Sequence, residues 1–238
     1  MNFGIIAAGE GSRLVQEGES LPKPLVRIDG RPLIGRLINI FEQCGADSVN
    51  VIVNQEMKQV RDFLEELKPS LACQLNIVVK STPSSLHSFY ELSKIMAPEG
   101  RFILTTVDTV FRENDFYRYV EYFNSAPEGV DGLMAVTGFI DDEKPLYVAT
   151  NADKKITGFL DAPSDDTKYV SGGIYGLSAS AFPVLEKCMN EGVSRMRNFQ
   201  RALVANGLNL LAYPVAKIID VDHVSDIAKA ENFLKEGN

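Results

Sequence analysis

Phe3-Gly4-Ile5-Ile6-Ala7-Ala8-Gly9-Glu10-Gly11-Ser12-Arg13-Leu14, joined by a polar loop to Pro22-Lys23-Pro24-Leu25, is the stretch around which the chain is organised. An apolar run of strand length, Phe3 to Ala8, stops at two closely spaced glycines. An arginine follows at once, and a lysine stands between two prolines ten residues later. Glycine allows φ > 0 and close approach of a ligand with no Cβ in the way, and successive N–H groups in such a turn form a nest for an anion. The third glycine of Gly-x-Gly-x-x-Gly is replaced by Leu14 and no Gly-Lys-Ser/Thr follows, so the loop is neither the dinucleotide fingerprint nor a P-loop. Gly-x-Gly alone also suits a plain strand-to-loop corner with a surface arginine. Arg13 and the Pro-Lys-Pro element shift the balance, because a guanidinium fork holds phosphate oxygens at two points and a lysine adds a point charge, a pairing suited to a triphosphate.

Outward from this loop, strand-like runs alternate with helix-period stretches, the pattern of a parallel sheet covered by helices. Phe3 to Ala8, Ser48 to Val53, Leu75 to Val79 and Arg101 to Val107 are the strands. Pro32 to Cys44 is a helix with Leu33, Leu37, Ile40 and Phe41 on one face, Pro32 suited to its first turn and Gly45 to its end. Glu56 to Leu67, the apolar-periodic stretch that the Thr82 to Ser85 turn leads into and that runs through Ile95, and Asn114 to Phe123 are the other helices of the first half. Past Val130 the pattern changes to strands at Asp131 to Phe139, Leu146 to Thr150, Lys155 to Leu160 and Tyr169 to Leu177, joined by Asp, Asn, Gly and Pro turns. Helices at Ser180 to Asn190 and Arg195 to Ala205, strands within Asn209 to Val221, and a helix at Val224 to Lys235 complete the chain.

With 238 residues, 45 % hydrophobic and 24 % charged, the composition excludes a disordered or fibrous class. One domain over 1–238 is expected, with a nucleotide-binding half at 1–125 and an acceptor-binding half at 126–238. No apolar run approaches the roughly 20 residues of a membrane helix and no signal-peptide pattern opens the chain, so no membrane partner is expected and the cytoplasm is the default address. The net charge of -8 disfavours nucleic acid as a partner, and three scattered cysteines make neither a disulfide framework nor a zinc cluster. A homo-oligomer is left open.

The double motif, Ala7 to Leu14 with Pro22 to Leu25, closely resembles the signature of the sugar-phosphate nucleotidyltransferases, the NDP-sugar pyrophosphorylases. The resemblance implies an α/β fold of nucleotide-diphospho-sugar transferase type: a three-layer, Rossmann-like mixed sheet, mostly parallel and flanked by helices. It implies an enzyme that moves NMP from an NTP to a sugar phosphate, releasing pyrophosphate. It also places Ala7, Ala8, Gly9, Gly11 and Ser12 against the nucleotide, and Arg13 and Lys23 on its phosphates.

Asp108 stands where the fourth strand runs out, the end of an open α/β sheet at which ligands bind. Mg2+ is the expected cofactor, since it takes a few carboxylates and completes its shell with phosphate oxygens and water. The family carries a metal-binding Asp at this strand end, although its usual preceding Gly is Val107 here. Asp220 and Asp222 are the candidates for a second ligand, and strand alternation puts them on one side. Asp220 is ranked first, because Asp222 or Ser225 also suits the cap of the last helix.

Ser84 and Ser85 either cap the helix that they open or, by the resemblance, contact the nucleobase. Ser171 and Gly173, in Val170-Ser171-Gly172-Gly173-Ile174-Tyr175, resemble an acceptor-binding Asn-x-Gly-Ile-Tyr segment; a core strand with a glycine bulge is the alternative. Asp161, in Phe159-Leu160-Asp161-Ala162-Pro163, lies where the family has Phe-x-Glu-Lys-Pro. Ala162 replaces the lysine that meets the acceptor phosphate, so another cation among Lys168, Lys217, Arg195 and Arg197 takes its part, or the acceptor differs. A cytidylyltransferase for choline phosphate or an alditol phosphate, and a non-catalytic nucleotide-sensing homologue, are the alternatives.

Overall fold

Every second residue of β1 (Asn2–Ala7) enters a different core. Phe3, Ile5 and Ala7 pack on one face of the sheet, and Ile6 and the following Ala8 on the other. That alternation is the period of an extended chain, and it makes β1 a central strand covered on both sides. The computed structural model describes residues 1–96, 100–164 and 167–236. After β1 come α1 (Ser12–Gln16), the hairpin β2 (Arg27–Ile28) and β3 (Arg31–Pro32), α2 (Leu33–Gln43), β4 (Ser48–Val53), α3 (Lys58–Leu67), β5 (Gln74–Val79), α4 (Ser85–Ser93), β6 (Arg101–Thr106), β7 (Thr109–Val110) and α5 (Glu113–Ser125). The strands β8 (Gly132–Thr137), β9 (Tyr147–Thr150), β10 (Ile156–Leu160) and β11 (Thr167–Ser178) follow. The helices α6 (Ala181–Asn190) and α7 (Met196–Ala205), then β12 (Leu210–Val215), β13 (Ile219–Asp220) and α8 (Val224–Lys235), complete the order.

The main sheet runs β10-β9-β11-β6-β1-β4-β5, with β8 pairing β11 and β12. β5, β4, β1 and β6 are parallel neighbours, whereas β11 runs antiparallel to β6, β8 and β9. The result is a mixed sheet between two helical layers. Helices α2, α3, α5 and α8 bury Phe41, Leu64, Phe116 and Phe233 on one face, and α4, α6 and α7 bury Phe89, Leu185 and Phe199 on the other. Chain order reverses between β1 and β6, the topological switch point at which open α/β sheets bind ligands.

The helix–strand alternation expected from the sequence is present, with ends displaced by a residue or two. Four short elements were outside that expectation: α1, β2 and β3 of the hairpin, and β7, whose partner β13 falls within the strands expected over Asn209 to Val221. Elements of two to five residues are too short to show a hydrophobic period. The β7–β13 pair matters most, because it aligns Asp220 with Thr109, and Val221 N–H donates to the Asp108 carbonyl at 3.0 Å. Among the described residues no helix is long and apolar enough to cross a membrane.

Candidate functional site

The carboxyl ends of β1, β4 and β6 open into a cleft of about 880 Å³. Its walls are the 8–13 turn, Asn54 and Glu56, the 81–85 segment with Ser88, Thr106, Val107 and Asp108, and Lys23, Arg195 and Asp222.

Gly11 has φ 62° and ψ 33°, a left-handed conformation that disfavours a side chain. A Cβ at Gly11 would lie 2.8 Å from the Lys23 Cβ, so this glycine both makes the turn and leaves room for the lysine stem. Lys23 begins a 3-10 turn, Lys23–Leu25, with fixed-φ prolines on either side of it. Its ammonium lies 2.5 Å from Asp108 Oδ2 and 2.5 Å from Asp222 Oδ1, and the Lys23 side chain is only 10 % exposed. Arg13 Nη1 donates to the other oxygen of Asp222 at 3.0 Å.

Burial opposes charge on Lys23, but Asp108 and Asp222 outweigh it and raise the lysine pKa. Burial likewise opposes charge on Asp108, but Lys23 and the Thr106 hydroxyl hold its carboxyl below the usual range. Asp220 goes the other way. Its carboxyl is reachable from solvent at the compartment wall, yet the surrounding protein and then the negative charge of Asp108 push its pKa up to about 7.

A second compartment of about 220 Å³ adjoins the cleft and shares Arg13 and Asp222 with it. It is lined by Phe139, the acids Asp141, Asp142, Glu143, Asp220 and Asp226, the 170–172 segment, His223 and Lys229. Lys229 bonds to Asp141 at 2.8 Å and lies 3.1 Å from Asp226.

Of the residues expected from the sequence, Ala8, Gly9, Gly11, Ser12, Arg13, Lys23, Asp108 and Asp222 share the cleft. Ala7 is turned into the core. Gly9 does not adopt positive φ, and a Cβ there would meet nothing within 4 Å, so its turn does not require glycine. Ser84 and Ser85 line the cleft, but their hydroxyls accept the Arg195 and Met196 N–H groups, each at 3.1 Å. They therefore hold the start of α7.

Ser171 lines the second compartment, and its hydroxyl donates to Gln200 Oε1 at 2.9 Å. Gly173 (φ 72°) sits at the register shift in β11. A Cβ there would lie 2.5 Å from Thr109 Oγ1 and 2.9 Å from Thr106 Oγ1, so its place is against those threonines, which are hydrogen-bonded to each other at 2.7 Å. Asp161 lines neither compartment. It is an exposed carboxylate paired with Arg197 at 3.2 Å and Arg201 at 2.6 Å.

Asp220 and Asp222 both face the second compartment, as strand alternation requires, but only Asp222 also reaches the cleft and Lys23. The last helix leaves Asp222 free for this, since Asp226 accepts the His223 N–H at 2.8 Å and Glu17 accepts the Val224 N–H at 2.7 Å. Asn54 escaped notice in the sequence. It follows β4 at the ligand-binding end of the sheet, donates to the Ala8 carbonyl at 3.4 Å and accepts from Ser81 at 2.8 Å, which ties the glycine turn to the 81–85 segment.

Among the described residues, no three His, Cys, Asp or Glu side chains converge as a ready metal cluster. Asp108 and Asp222 nevertheless converge on one cation, the Lys23 ammonium. Two carboxylates converging in an open cleft fit an ion such as Mg2+ that takes a few carboxylates and completes its shell with ligand oxygens and water.

Residues 4–205 match the family described as MobA-like NTP transferase domain. The chain is 24 % identical over 237 residues to the bifunctional protein GlmU of Methanococcus maripaludis, covering 96 % of this chain and 53 % of that protein. Choline-phosphate cytidylyltransferase of Streptococcus pneumoniae is 24 % identical over 249 residues, covering 98 % of each. The chain spans about half the length of the first curated relatives that it matches. Among solved structures, the inositol-1-phosphate CTP transferase of T. maritima superposes with a TM-score of 0.80 at 19 % identity, covering 99 % of this chain and 96 % of that one. A UDP-glucose pyrophosphorylase bound to UDP-glucose gives 0.79 at 14 % identity, covering 100 % and 99 %. With the glycine turn, the paired carboxylates and a match over most of its length, the chain belongs to the MobA-like NTP transferase family.

Proposed function

We propose that this protein transfers NMP from an NTP to the phosphate of a phosphorylated sugar, forming an NDP-sugar and releasing pyrophosphate. The observation that carries the proposal is the Lys23 ammonium held 2.5 Å from both Asp108 and Asp222 beside the Gly11 turn. It supports this reading because a lysine and two carboxylates lie together at the sheet's switch point, where the reaction would bring phosphates and a divalent ion.

The acceptor phosphate is already a nucleophile at neutral pH, because its second pKa is about 6. No general base is needed. Its oxygen forms a bond to the α-phosphorus as the bond from that phosphorus to the bridging oxygen breaks, and pyrophosphate leaves with the electron pair. The protein has to align these groups and offset the charge. The Gly11 turn presents backbone N–H groups to the triphosphate, and Arg13 and Lys23 turn from their carboxylates to its phosphate oxygens. Asp108 and Asp222, with Asp220 beside them, would hold Mg2+, which when bound neutralises charge on the phosphates and leaving group.

A second acceptor class is favoured by the acid-rich second compartment, whose carboxylates suit a cationic headgroup such as that of choline phosphate. Pyrophosphate release is to be measured for ATP, CTP, GTP and UTP against a panel of sugar phosphates, choline phosphate and alditol phosphates, with Mg2+ or with EDTA. Turnover with a sugar phosphate is expected, and turnover with choline phosphate or an alditol phosphate alone moves the assignment to the second class. Tight NTP binding without turnover for any pair would sink the enzyme and leave a nucleotide sensor.

A further inference from the structure

Three non-glycine residues among those described have positive φ: Asp29, Lys154 and Arg195. Asp29 lies in the β2–β3 hairpin turn and Lys154 in the turn between β9 and β10, tight reversals in which left-handed backbone is common. Arg195 is different. It stands at the start of α7 with φ 67° and ψ 141°, outside the left-handed helical well, so its surroundings must sustain the strain. The restraint comes from the other side of the cleft. Ser84 accepts the Arg195 N–H and Ser85 accepts the Met196 N–H, both at 3.1 Å and across 111 residues of sequence.

Arg195, its backbone held in this way, is exposed and lines the nucleotide cleft. Cations in the cleft otherwise have carboxylate partners: Lys23 has Asp108 and Asp222, and Arg13 has Asp222. The Arg195 guanidinium has neither a hydrogen bond nor an ion pair among the described residues. Its neighbours on α7 do not share this state, since Arg197 and Arg201 both pair with Asp161. The other cations able to replace a lysine at Ala162 are placed elsewhere. Lys217 lies 4.3 Å from the Phe139 ring centroid and 5.2 Å from that of Phe233, and Lys168 lines neither compartment.

We infer that Arg195 is a phosphate-binding residue of the cleft, aimed by a strained backbone that Ser84 and Ser85 hold in place. The inference rests on the nucleotidyltransferase reading, in which two phosphate-bearing ligands must approach each other and their charges need a counter-ion beyond Arg13 and Lys23. A guanidinium suits this because it offers a planar fork to two phosphate oxygens. Either the triphosphate or the acceptor phosphate supplies those oxygens.

The test uses Arg195→Ala, Arg195→Gly and Arg195→Lys in the full chain. One arm measures calorimetric binding of ATP, CTP, GTP and UTP with Mg2+. The other measures the acceptor KM at saturating NTP, using the sugar phosphate or phosphorylated alcohol that releases pyrophosphate with wild type. The alanine and glycine variants are expected to lose about tenfold or more in one arm, with partial rescue by lysine. Loss in the NTP arm assigns the triphosphate, and loss only in acceptor KM assigns the acceptor phosphate. The glycine variant should also melt above wild type, because the strain is relieved, which separates a functional role from a structural one. Unchanged values in both arms beside an active wild type, or a glycine variant that melts lower, would overturn the assignment of Arg195 alone. Failure of wild type to bind any NTP would remove the nucleotidyltransferase reading and this inference with it.

Discussion

The floor of the cleft and the compartment beside it are built by different means. At the floor, parallel strands end together, Gly11 turns the chain around the Lys23 stem, and the lysine is clamped between carboxylates delivered by β6 and by the segment after β13. The compartment is walled by side chains from the 139–143 loop, the irregular stretch of β11 and the start of α8. A centre tied in this way to sheet geometry has little freedom to change. Walls made of loop residues can be rewritten one residue at a time, and the expected acceptor residue Asp161 lies outside both compartments, paired on the surface with Arg197 and Arg201.

This contrast is open to attack from its strongest point downward. Asp108→Asn should lower pyrophosphate release by about a hundredfold to a thousandfold while circular dichroism shows an intact fold. Near-wild-type turnover would show that the floor does not set the rate. Lys23→Ala should weaken NTP binding by about tenfold to a hundredfold, read by calorimetry. The same variant should gain more thermal stability from Mg2+ alone than wild type does, because its paired carboxylates have lost their counter-ion; equal gains would mean that lysine and metal do not share a site. Gly11→Ala should cost about 1–2 kcal/mol from the left-handed backbone, measured by urea unfolding, whereas Gly9→Ala should leave stability unchanged. At the weak end, Asp161→Asn should leave the acceptor KM unchanged, since its exposed ion pairs lie outside both compartments. A several-fold rise in that KM would return Asp161 to the acceptor site.

The sheet was legible because its signals are local: β-branched runs, helical periods, and a strand that sorts Phe3, Ile5 and Ala7 from Ile6 and Ala8. The place of Asp108 at the cleft was legible for a related reason, since the end of a parallel strand is where open α/β sheets form their crevice. What escaped depends on partners remote in sequence. Nothing near Ser84 or Ser85 announces that their hydroxyls restrain Arg195 and Met196, and the strained φ of Arg195 has no signature in residue type. The order of Asp220 and Asp222 turned on the two-residue pairing of β13 with β7, which sets Asp220 opposite Thr109 and leaves Asp222 to reach Lys23.

The Lys23 bridge also bears on how the two acids come to lie together. Two carboxylates brought together at a strand end ordinarily repel each other. Here the chain carries a cation within itself, 2.5 Å from each acid. The two acids can therefore stand side by side with no metal bound.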